Sequence, residues 1–436
     1  MTQRVVIGTG PDGLRAAAVL AARGESVVLL QQGSGPSGLA RPDLPEGDGS
    51  YRVPVGVEAR AMEAVLGPVR EVPAPRLHVA MAGEVEALPL RPDRVGGLLP
   101  PSLRRPAARS WLRARGRNAL AELVGGGQEE RTVRDWVVRR MGAPAYESLY
   151  ADYARRRFGL DAAQLGVGLA RRHHAIPDDR PRVVPAGAAA DALGLLADAV
   201  RRTGDIREGV QVEGFHVEDG RVRAVRLADG DAVDVENGVW VEDSPQRAVG
   251  WLGDAASPGL RVDSGRLPAF DRVRVALRGL SLEAGHVVHL LATGGPAWRV
   301  VGCGGGLAVA DCTLPDGAEL EDGLARRVAS QVTAAGVGAA DPAPGGIEHE
   351  RAGEPIWQIT TPAVLREVLG PLREAGVVMV GARGAVAGLG PGEALGLALR
   401  YAEQTDPDQR EAQRQLVQVP TRVDDLGARI TRFVTR

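Results

Sequence analysis

The sequence of 436 residues is too long for one compact hydrophobic core, and it predicts two or three interleaved domains. Apolar residues make up 44% and charged residues 25%, which are the proportions of a globular protein rather than of a disordered chain. The formal net charge of −2 argues against the concentrated positive field that nucleic-acid binding needs. No nucleic acid is expected as a partner.

The basic residues are all arginine, because the sequence contains no lysine. Schiff-base chemistry and a lysine general base are therefore excluded. The two cysteines, Cys303 and Cys312, match neither a zinc-site nor a disulfide spacing. His286 and His289 would point to opposite faces of a strand, so we expect no metal site.

Two kinds of membrane-directing segment are not predicted. A strand begins within the first few residues, which leaves no room for a signal peptide. No apolar run reaches the roughly 20 residues that a membrane-spanning helix needs. We expect a cytoplasmic protein with no transmembrane segment.

A strand, a glycine-rich turn and a helix follow one another at the start of the chain. Residues 4–7 (RVVI) are a short β-branched run, residues 8–13 read GTGPDG, and residues 14–22 are apolar and rich in alanine. Residues 27–30 (VVLL) predict a second strand. This order is typical of a dinucleotide-binding βαβ unit.

The residues of this turn have distinct physical tasks. Gly8 permits the tight turn, Gly10 lets a pyrophosphate approach the backbone, and Gly13 lets the helix pack closely against the strand. The positive end of the helix dipole then faces the phosphates. The predicted cofactor-binding residues here are Gly8, Gly10, Pro11, Asp12 and Gly13.

A second glycine-rich turn, residues 35–40 (GPSGLA), follows the second strand. It resembles the RxGG-type turn of FAD-binding enzymes in the amine oxidase and protoporphyrinogen oxidase superfamily, which simple nicotinamide dehydrogenases lack. The resemblance implies that Gly38, Leu39 and Ala40 contact FAD. A glycine-rich surface loop is the alternative interpretation.

The middle of the chain carries the most specific resemblance. Residues 132–160 are similar to the helical segment near the substrate cavity of protoporphyrinogen oxidase-like and UDP-galactopyranose mutase-like flavoproteins. The resemblance implies that Tyr153, Arg156 and Phe158 line that cavity, with Phe158 standing where tryptophan is more usual. By spacing alone the segment starts as an amphipathic helix, and fold-supporting roles remain open for all three side chains.

Two later segments resemble the same superfamily. Residues 205–212 (DIREGVQV) are similar to a strand whose valine backbone brackets the flavin adenine, which implies that position for Val212. Residues 376–384 (GVVMVGARG) resemble the last flavin contact, which implies that Gly381 and Arg383 bind the cofactor.

The resemblance implies an α/β fold in which a Rossmann-like FAD-binding domain of the GR2 type is interleaved with a substrate domain of antiparallel sheet plus helices. The expected boundaries are residues 1–80, 180–247 and 345–405 for the FAD-type domain, 81–179 and 248–344 for the substrate domain, and 406–436 for a C-terminal tail of unassigned role.

The end of the second strand departs from the FAD-binding pattern. Gln31, with Gln32 beside it, stands where the family usually has a glutamate that accepts hydrogen bonds from the adenosine ribose. A charged acceptor contributes about 1.5–3 kcal/mol and a neutral one about 1 kcal/mol. A neutral amide therefore predicts a modest, about tenfold loss of FAD affinity.

Asp12 and the pair Glu242 and Asp243 add negative charge where a pyrophosphate would bind or at its rim. Unit like charges about 5 Å apart repel by roughly 3 kcal/mol at an effective dielectric constant of about 20. Alternatively, Asp12 only supports its own helix dipole and points away from any ligand. Both interpretations of Asp12 remain open.

Two functions are compatible with the resemblance and its departures. In the first, the chain is an FAD-dependent oxidoreductase with a small-molecule substrate and no identified catalytic residue. In the second, it is a non-catalytic pseudoenzyme of the same fold that binds a protein partner, such as a catalytic paralogue. A nicotinamide cofactor is a third option, with NADP least favoured because no arginine follows the second strand.

The altered residues generate a testable prediction. Asp12→Ala combined with Gln31→Glu should improve FAD uptake about tenfold or more, because it removes a like charge and restores a charged acceptor. Titration of the purified variants with FAD measures this. An unchanged affinity would show that these two positions are not the obstacle.

Overall fold

The computed structural model describes residues 3–8, 11–32, 53–54, 69–72, 76–81, 83–87, 99, 101–124, 130–173, 182–185, 189–267, 269–291, 293–315, 317–338, 341–356, 358 and 360–381. Its strands are β1 (Gln3–Gly8), β2 (Ser26–Gln31), β3 (Val53–Pro54), β4 (Val69–Val72), β5 (Leu77–Met81), β6 (Glu84–Ala87), β7 (Arg182–Pro185), β8 (Asp205–Glu208), β9 (Val212–Glu218), β10 (Arg221–Leu227), β11 (Ala232–Asp234), β12 (Val239–Glu242), β13 (Ala269–Arg278), β14 (Val287–Leu290), β15 (Ala297–Gly304), β16 (Leu307–Pro315), β17 (Ala343–Pro355) and β18 (Val377–Met379).

The helices are α1 (Pro11–Ala22), α2 (Pro101–Val124), α3 (Val133–Met141), α4 (Ala143–Ala145), α5 (Ala151–Phe158), α6 (Val167–His173), α7 (Ala189–Arg201), α8 (Pro245–Leu252), α9 (Pro258–Ser264), α10 (Leu324–Ala334) and α11 (Thr361–Glu374). A π-helical turn, Tyr146–Tyr150, joins α4 to α5. Within the described part of the chain, no helix is both long and apolar enough to cross a bilayer.

A five-stranded parallel sheet has the order β18-β12-β1-β2-β8. Because successive side chains of a strand face opposite sides, Val6 and Leu29 pack against α1 and α7. Val5 and Ile7 pack on the other side, in a second buried cluster. The sheet is buried on both faces, which is why its strands read as nearly continuous apolar runs.

The second face of this sheet is covered by an antiparallel meander, β9-β10-β11, together with α8, α9 and α11. Phe215 of β9 packs edge-on against Trp251 of α8, with ring centroids 5.6 Å apart. An Asp-Gly pair between two apolar runs predicts a β-hairpin, and Asp229 and Gly230 lie between β10 and β11, which pair in antiparallel orientation. A parallel sheet covered by helices on one face and by a meander with further helices on the other confirms the predicted Rossmann-like part of the α/β fold.

A seven-stranded sheet has the order β17-β13-β16-β15-β14-β5-β6, and all its neighbours are antiparallel except β14 and β5. Helix α10 covers one face. The helical segment from α3 to α6 covers the other face. An antiparallel sheet plus helices was expected for the substrate domain, and this part of the fold is confirmed.

The helical segment that carries the resemblance starts with a reciprocal cap. Thr132 Oγ1 accepts a hydrogen bond from the Asp135 N–H at 3.0 Å, and the Asp135 carboxylate accepts one from the Thr132 N–H at 3.1 Å. This capping box fixes the start of α3, where the sequence predicted an amphipathic helix. Val133 and Val137 form its buried face.

A small antiparallel sheet, β3-β7-β4, connects distant parts of the chain. Strand β17 belongs to the seven-stranded sheet, although the sequence analysis grouped most of its residues with the FAD-type domain. The proposed domain boundaries stay a prediction.

Glycine at position 13 is required by the packing of α1 on β1. A Cβ atom there would lie 2.5 Å from the Gly8 Cα, so Gly13→Ala should lower the free energy of unfolding by about 1–3 kcal/mol. In the control, Gly194→Ala on α7 adds a Cβ in open space and should stabilise the protein by about 0.5–1 kcal/mol. Urea unfolding of both variants measures the difference, and equal stabilities would contradict the close contact.

Candidate cofactor site

Three strand ends meet at the carboxyl edge of the parallel sheet. Gly8, the last residue of β1, is in register with Gln31 on β2 and with Glu242 on β12. The predicted order of first strand and first helix is confirmed, since β1 ends at Gly8 and α1 begins at Pro11. Proline suits the first helical position because its missing N–H would have no partner there.

The Gln31 side chain is fully buried at this edge. Neither its Oε1 nor its Nε2 has a hydrogen-bond partner among the described residues. Its Oε1 lies close to Gly8, since a Cβ on Gly8 would be 2.9 Å from that oxygen. A buried amide without a partner costs about 1–3 kcal/mol, so a ligand or another group that completed its hydrogen bonds would stabilise this edge.

Gln32 and Val212 lie together beside this amide. The Val212 N–H donates a hydrogen bond to Gln32 Oε1 at 3.4 Å, which joins the end of β2 to the start of β9. The Nε2 of Gln32 is buried and has no partner in the ranges that the structure describes. Two residues that the resemblance placed near the adenosine are therefore neighbours in space.

Glu242 reaches from β12 to the start of α1. Its side chain is buried, and its Oε2 accepts a hydrogen bond from the Gly13 N–H at 3.0 Å. The first-turn N–H groups of a helix have no partner within the helix, and a carboxylate near them also interacts favourably with the dipole. A protein carboxylate therefore takes a donor at the helix end where a ligand phosphate was expected.

Asp12 lies close to a cation and to Gly381, and both interpretations of its role stay open. Its carboxylate forms an ion pair with Arg15 one turn along α1, and the two side chains are 12% and 6% exposed. It also faces Gly381, where a Cβ would lie 2.7 Å from the Asp12 Cβ and 3.0 Å from the Glu242 Cγ. Asp12, Glu242 and Gly381 therefore converge on one point, and Arg15 supplies a compensating cation.

Asp243 has a different environment from Glu242, although the two residues are adjacent. Its carboxylate accepts a hydrogen bond from the Ser244 N–H at 2.7 Å and pairs with Arg247 at 3.0 Å. These contacts hold the start of α8. Sequence reasoning treated the two acids alike because it could not tell which one faces α1.

The residues predicted to line a substrate cavity lie between the helical segment and the seven-stranded sheet. Tyr153 and Phe158 are buried in the cluster formed there. The Tyr153 hydroxyl is 2.9 Å from His289 Nδ1. Arg156 donates to the carbonyl groups of Leu290 and Ala297, which ties β14 to β15. These are fold-supporting contacts, and a role in a cavity stays a prediction for all three.

Sequence reasoning missed several arginines around this cluster. The Arg157 guanidinium lies 4.1 Å from the centre of the Trp298 ring. Asp311 is buried between Arg299 and Arg272. Burial raises the pKa of the Asp311 carboxyl, but the two guanidinium groups outweigh it and hold the pKa well below its usual range. Only the strand pairing brings these charges together, so no sequence spacing signals them.

The remaining predicted site residues, Gly10, Gly38, Leu39, Ala40 and Arg383, lie outside the described residues. Within the described ranges, no group of three or more His, Cys, Asp or Glu side chains could hold a metal ion.

Several solved structures have a similar fold. Reduced UDP-galactopyranose mutase gives a TM-score of 0.70 at 12% identity and covers 93% of this chain and 93% of its own. A protein from Exiguobacterium sp. 255-15 named as a protoporphyrinogen oxidase gives 0.64 at 15% identity, with 92% and 98% covered. Cyclohexylamine oxidase from Brevibacterium oxydans IH-35A gives 0.57 at 16% identity, with 92% and 99% covered. Neither a protein-family model nor a curated protein sequence matches the chain.

These comparisons confirm the predicted resemblance at the level of fold, because the chain has the fold of a UDP-galactopyranose mutase, of a protein named as a protoporphyrinogen oxidase and of a cyclohexylamine oxidase. The residues at the strand ends fit only part of the FAD that the resemblance implies. The amides of Gln31 and Gln32 offer hydrogen bonds suited to a ribose. The Glu242 carboxylate, in contrast, is in conflict with a pyrophosphate at the start of α1.

The Asp12–Arg15 pair can be tested by a double-mutant cycle. Arg15→Met removes the cation that is paired with the largely buried Asp12 carboxylate and should lower the free energy of unfolding by about 3 kcal/mol. The double variant Asp12→Ala/Arg15→Met should lose less than the sum of the single variants. Urea unfolding measures all three.

An exposed pair of the same spacing is the matched control. Asp198 and Arg201 on α7 are 66% and 50% exposed, so Arg201→Met should change stability by only about 0.5 kcal/mol. Equal losses for Arg15→Met and Arg201→Met would show that the pair at the start of α1 carries no special energy.

Proposed function

We propose that this chain is an FAD-dependent oxidoreductase of the amine oxidase and protoporphyrinogen oxidase type whose FAD binding is weaker than that of the enzymes it resembles. The observation that carries the proposal is the fully buried Gln31 side chain, whose two polar atoms have no hydrogen-bond partner among the described residues. When bound, the flavin supplies the redox chemistry, and the protein positions the substrate.

The location of this amide supports an adenosine ligand. In open α/β sheets, ligands bind in the crevice beyond the carboxyl ends of the strands. Gln31 ends β2 there, Gly8 ends β1 beside it, and the Val212 N–H at the start of β9 donates a hydrogen bond to Gln32. A ribose placed against Gln31 would satisfy both its acceptor and its donor.

Weak binding follows from the charges at the same edge. The enzymes that this chain resembles have a carboxylate at the position of the neutral Gln31 amide. A neutral acceptor forms a weaker hydrogen bond with a ribose hydroxyl. Asp12 and Glu242 place negative charge at the helix start that would receive the pyrophosphate. The Asp12–Arg15 pair offsets a part of that charge.

The type of substrate does not follow from the fold. The proteins of similar fold include a mutase, an amine oxidase and a fatty acid isomerase, so the same fold supports several chemistries. The chain lacks the lysine that monoamine and polyamine oxidases use near flavin N5, which disfavours that mechanism here. The proposed reaction is therefore an FAD-dependent oxidation of a small molecule.

Replacement of Gln31 separates ligand binding from stability. Gln31→Leu should raise the free energy of unfolding of the flavin-free protein by about 1–2 kcal/mol, because it removes a buried amide without partners. The same change should weaken FAD binding about tenfold. Flavin absorbance of the purified protein, FAD titration and urea unfolding are the measurements.

Gln164→Leu, at an exposed glutamine, is the control and should change neither quantity. Wild-type protein that is colourless and takes up no added FAD would overturn the proposed function and favour a non-catalytic binding subunit. FAD binding that Gln31→Leu leaves intact would instead remove Gln31 as the ribose contact.

A further inference from the structure

We propose that the Glu242 carboxylate is a built-in substitute for a ligand phosphate at the start of α1, so that a phosphate-bearing ligand binds there only after this carboxylate leaves the Gly13 amide. Glu242 would then set how well the site distinguishes a nucleoside from a nucleotide. The inference rests on the proposed function only where it concerns FAD.

The contact itself has the geometry of an anion held by a helix. Glu242 Oε2 accepts the Gly13 N–H at 3.0 Å, and Gly13 is the third residue of α1. The first residue of the helix is Pro11, which has no N–H to offer. The carboxylate thus occupies one of the few first-turn donors that α1 can present to a phosphate.

The origin of this carboxylate is fixed by the sheet. Glu242 is in register with Gly8 on the neighbouring strand, and 229 positions of sequence separate it from Gly13. Its side chain is buried, and Glu242 is the last residue of β12, an interior strand of the parallel sheet. The contact is therefore part of the folded framework.

The carboxylate fills space as well as satisfying a donor. A Cβ on Gly13 would lie 3.0 Å from Glu242 Oε2, and a Cβ on Gly381 would lie 3.0 Å from the Glu242 Cγ. Asp12 borders the same space, and its carboxylate is paired with Arg15. A phosphate entering here would meet two carboxylates, one of which holds the amide that the phosphate needs.

As a consequence, the negative charge at the start of α1 does not depend on a phosphate ligand. In a site that only binds a dinucleotide, the first-turn N–H groups of the helix have no anionic partner until the ligand phosphate binds. Here the chain supplies that charge itself. The buried amides of Gln31 and Gln32 are meanwhile left for uncharged hydroxyl groups.

Inorganic pyrophosphate tests the substitution without FAD. The melting temperature of the purified full-length protein is measured with and without pyrophosphate at constant ionic strength. Glu242→Ala should melt below the wild type, and pyrophosphate should recover part of that loss. Wild-type protein and Asp243→Ala, which removes the adjacent buried acid that pairs with Arg247, should show no such recovery.

Glu242→Gln covers the case in which the alanine variant fails to fold, because it keeps the size of the side chain and one acceptor while removing the charge. Pyrophosphate should stabilise this variant as well. Equal responses of wild type, Glu242→Gln and Asp243→Ala to pyrophosphate would overturn the inference.

Ligand titrations then separate this inference from the proposed function. Glu242→Gln should raise the affinity for ADP and FAD about tenfold or more and leave that for adenosine unchanged. FAD binding of the same affinity in wild type and Glu242→Gln overturns the inference and keeps the proposed function. Pyrophosphate stabilisation of Glu242→Gln without any FAD binding keeps the inference and overturns the proposed function.

Discussion

The close contact between Gly8 and Gly13 is the constraint on which the site depends. A Cβ on Gly13 would reach within 2.5 Å of the Gly8 Cα, so helix α1 lies against the end of β1 only because both positions are glycine. This contact aims the start of α1 at the carboxyl edge of the parallel sheet. The neighbouring strands then place Gln31 on one side of Gly8 and Glu242 on the other.

The same edge therefore combines the close glycine packing of a dinucleotide-binding turn with a carboxylate at the start of the helix. The glycine contact and the unsatisfied Gln31 amide suit a nucleoside, whereas the Glu242 carboxylate takes the Gly13 N–H. A carboxylate at a helix start contributes about 0.3–1 kcal/mol when exposed and up to about 2 kcal/mol when partly buried. The chain thereby stabilises the start of α1 without a ligand. In a dinucleotide-binding site, the phosphates of the ligand would supply that negative charge.

The other half of the molecule is organised by buried charge and aromatic packing. Asp311 lies between Arg299 and Arg272 within the seven-stranded sheet, and the pKa of its carboxyl is held well below the usual range. On the helical face, Arg157 stacks on Trp298 beside Tyr153. Such pairs are costly to break because the remaining charge stays buried. The Arg157–Trp298 contact joins the helical segment to the sheet, whereas the ion pairs of Asp311 join strands within it. Neither assigns a reaction to a fold that serves several chemistries.

The sequence alone determined the elements whose signals are local. The βαβ unit at residues 3–31, the β10–β11 hairpin and the helix that begins after Thr132 follow from glycine turns, apolar periodicity and a cap. It also determined which residue types lie at the carboxyl edge of the parallel sheet, including Gln31 and Asp12. Only the tertiary structure decided that Glu242 contacts Gly13 while Asp243 pairs with Arg247, because strand register directs adjacent side chains to opposite sides. Contacts between residues more than 200 positions apart depend on which strands become neighbours, and no local pattern in the sequence carries that information.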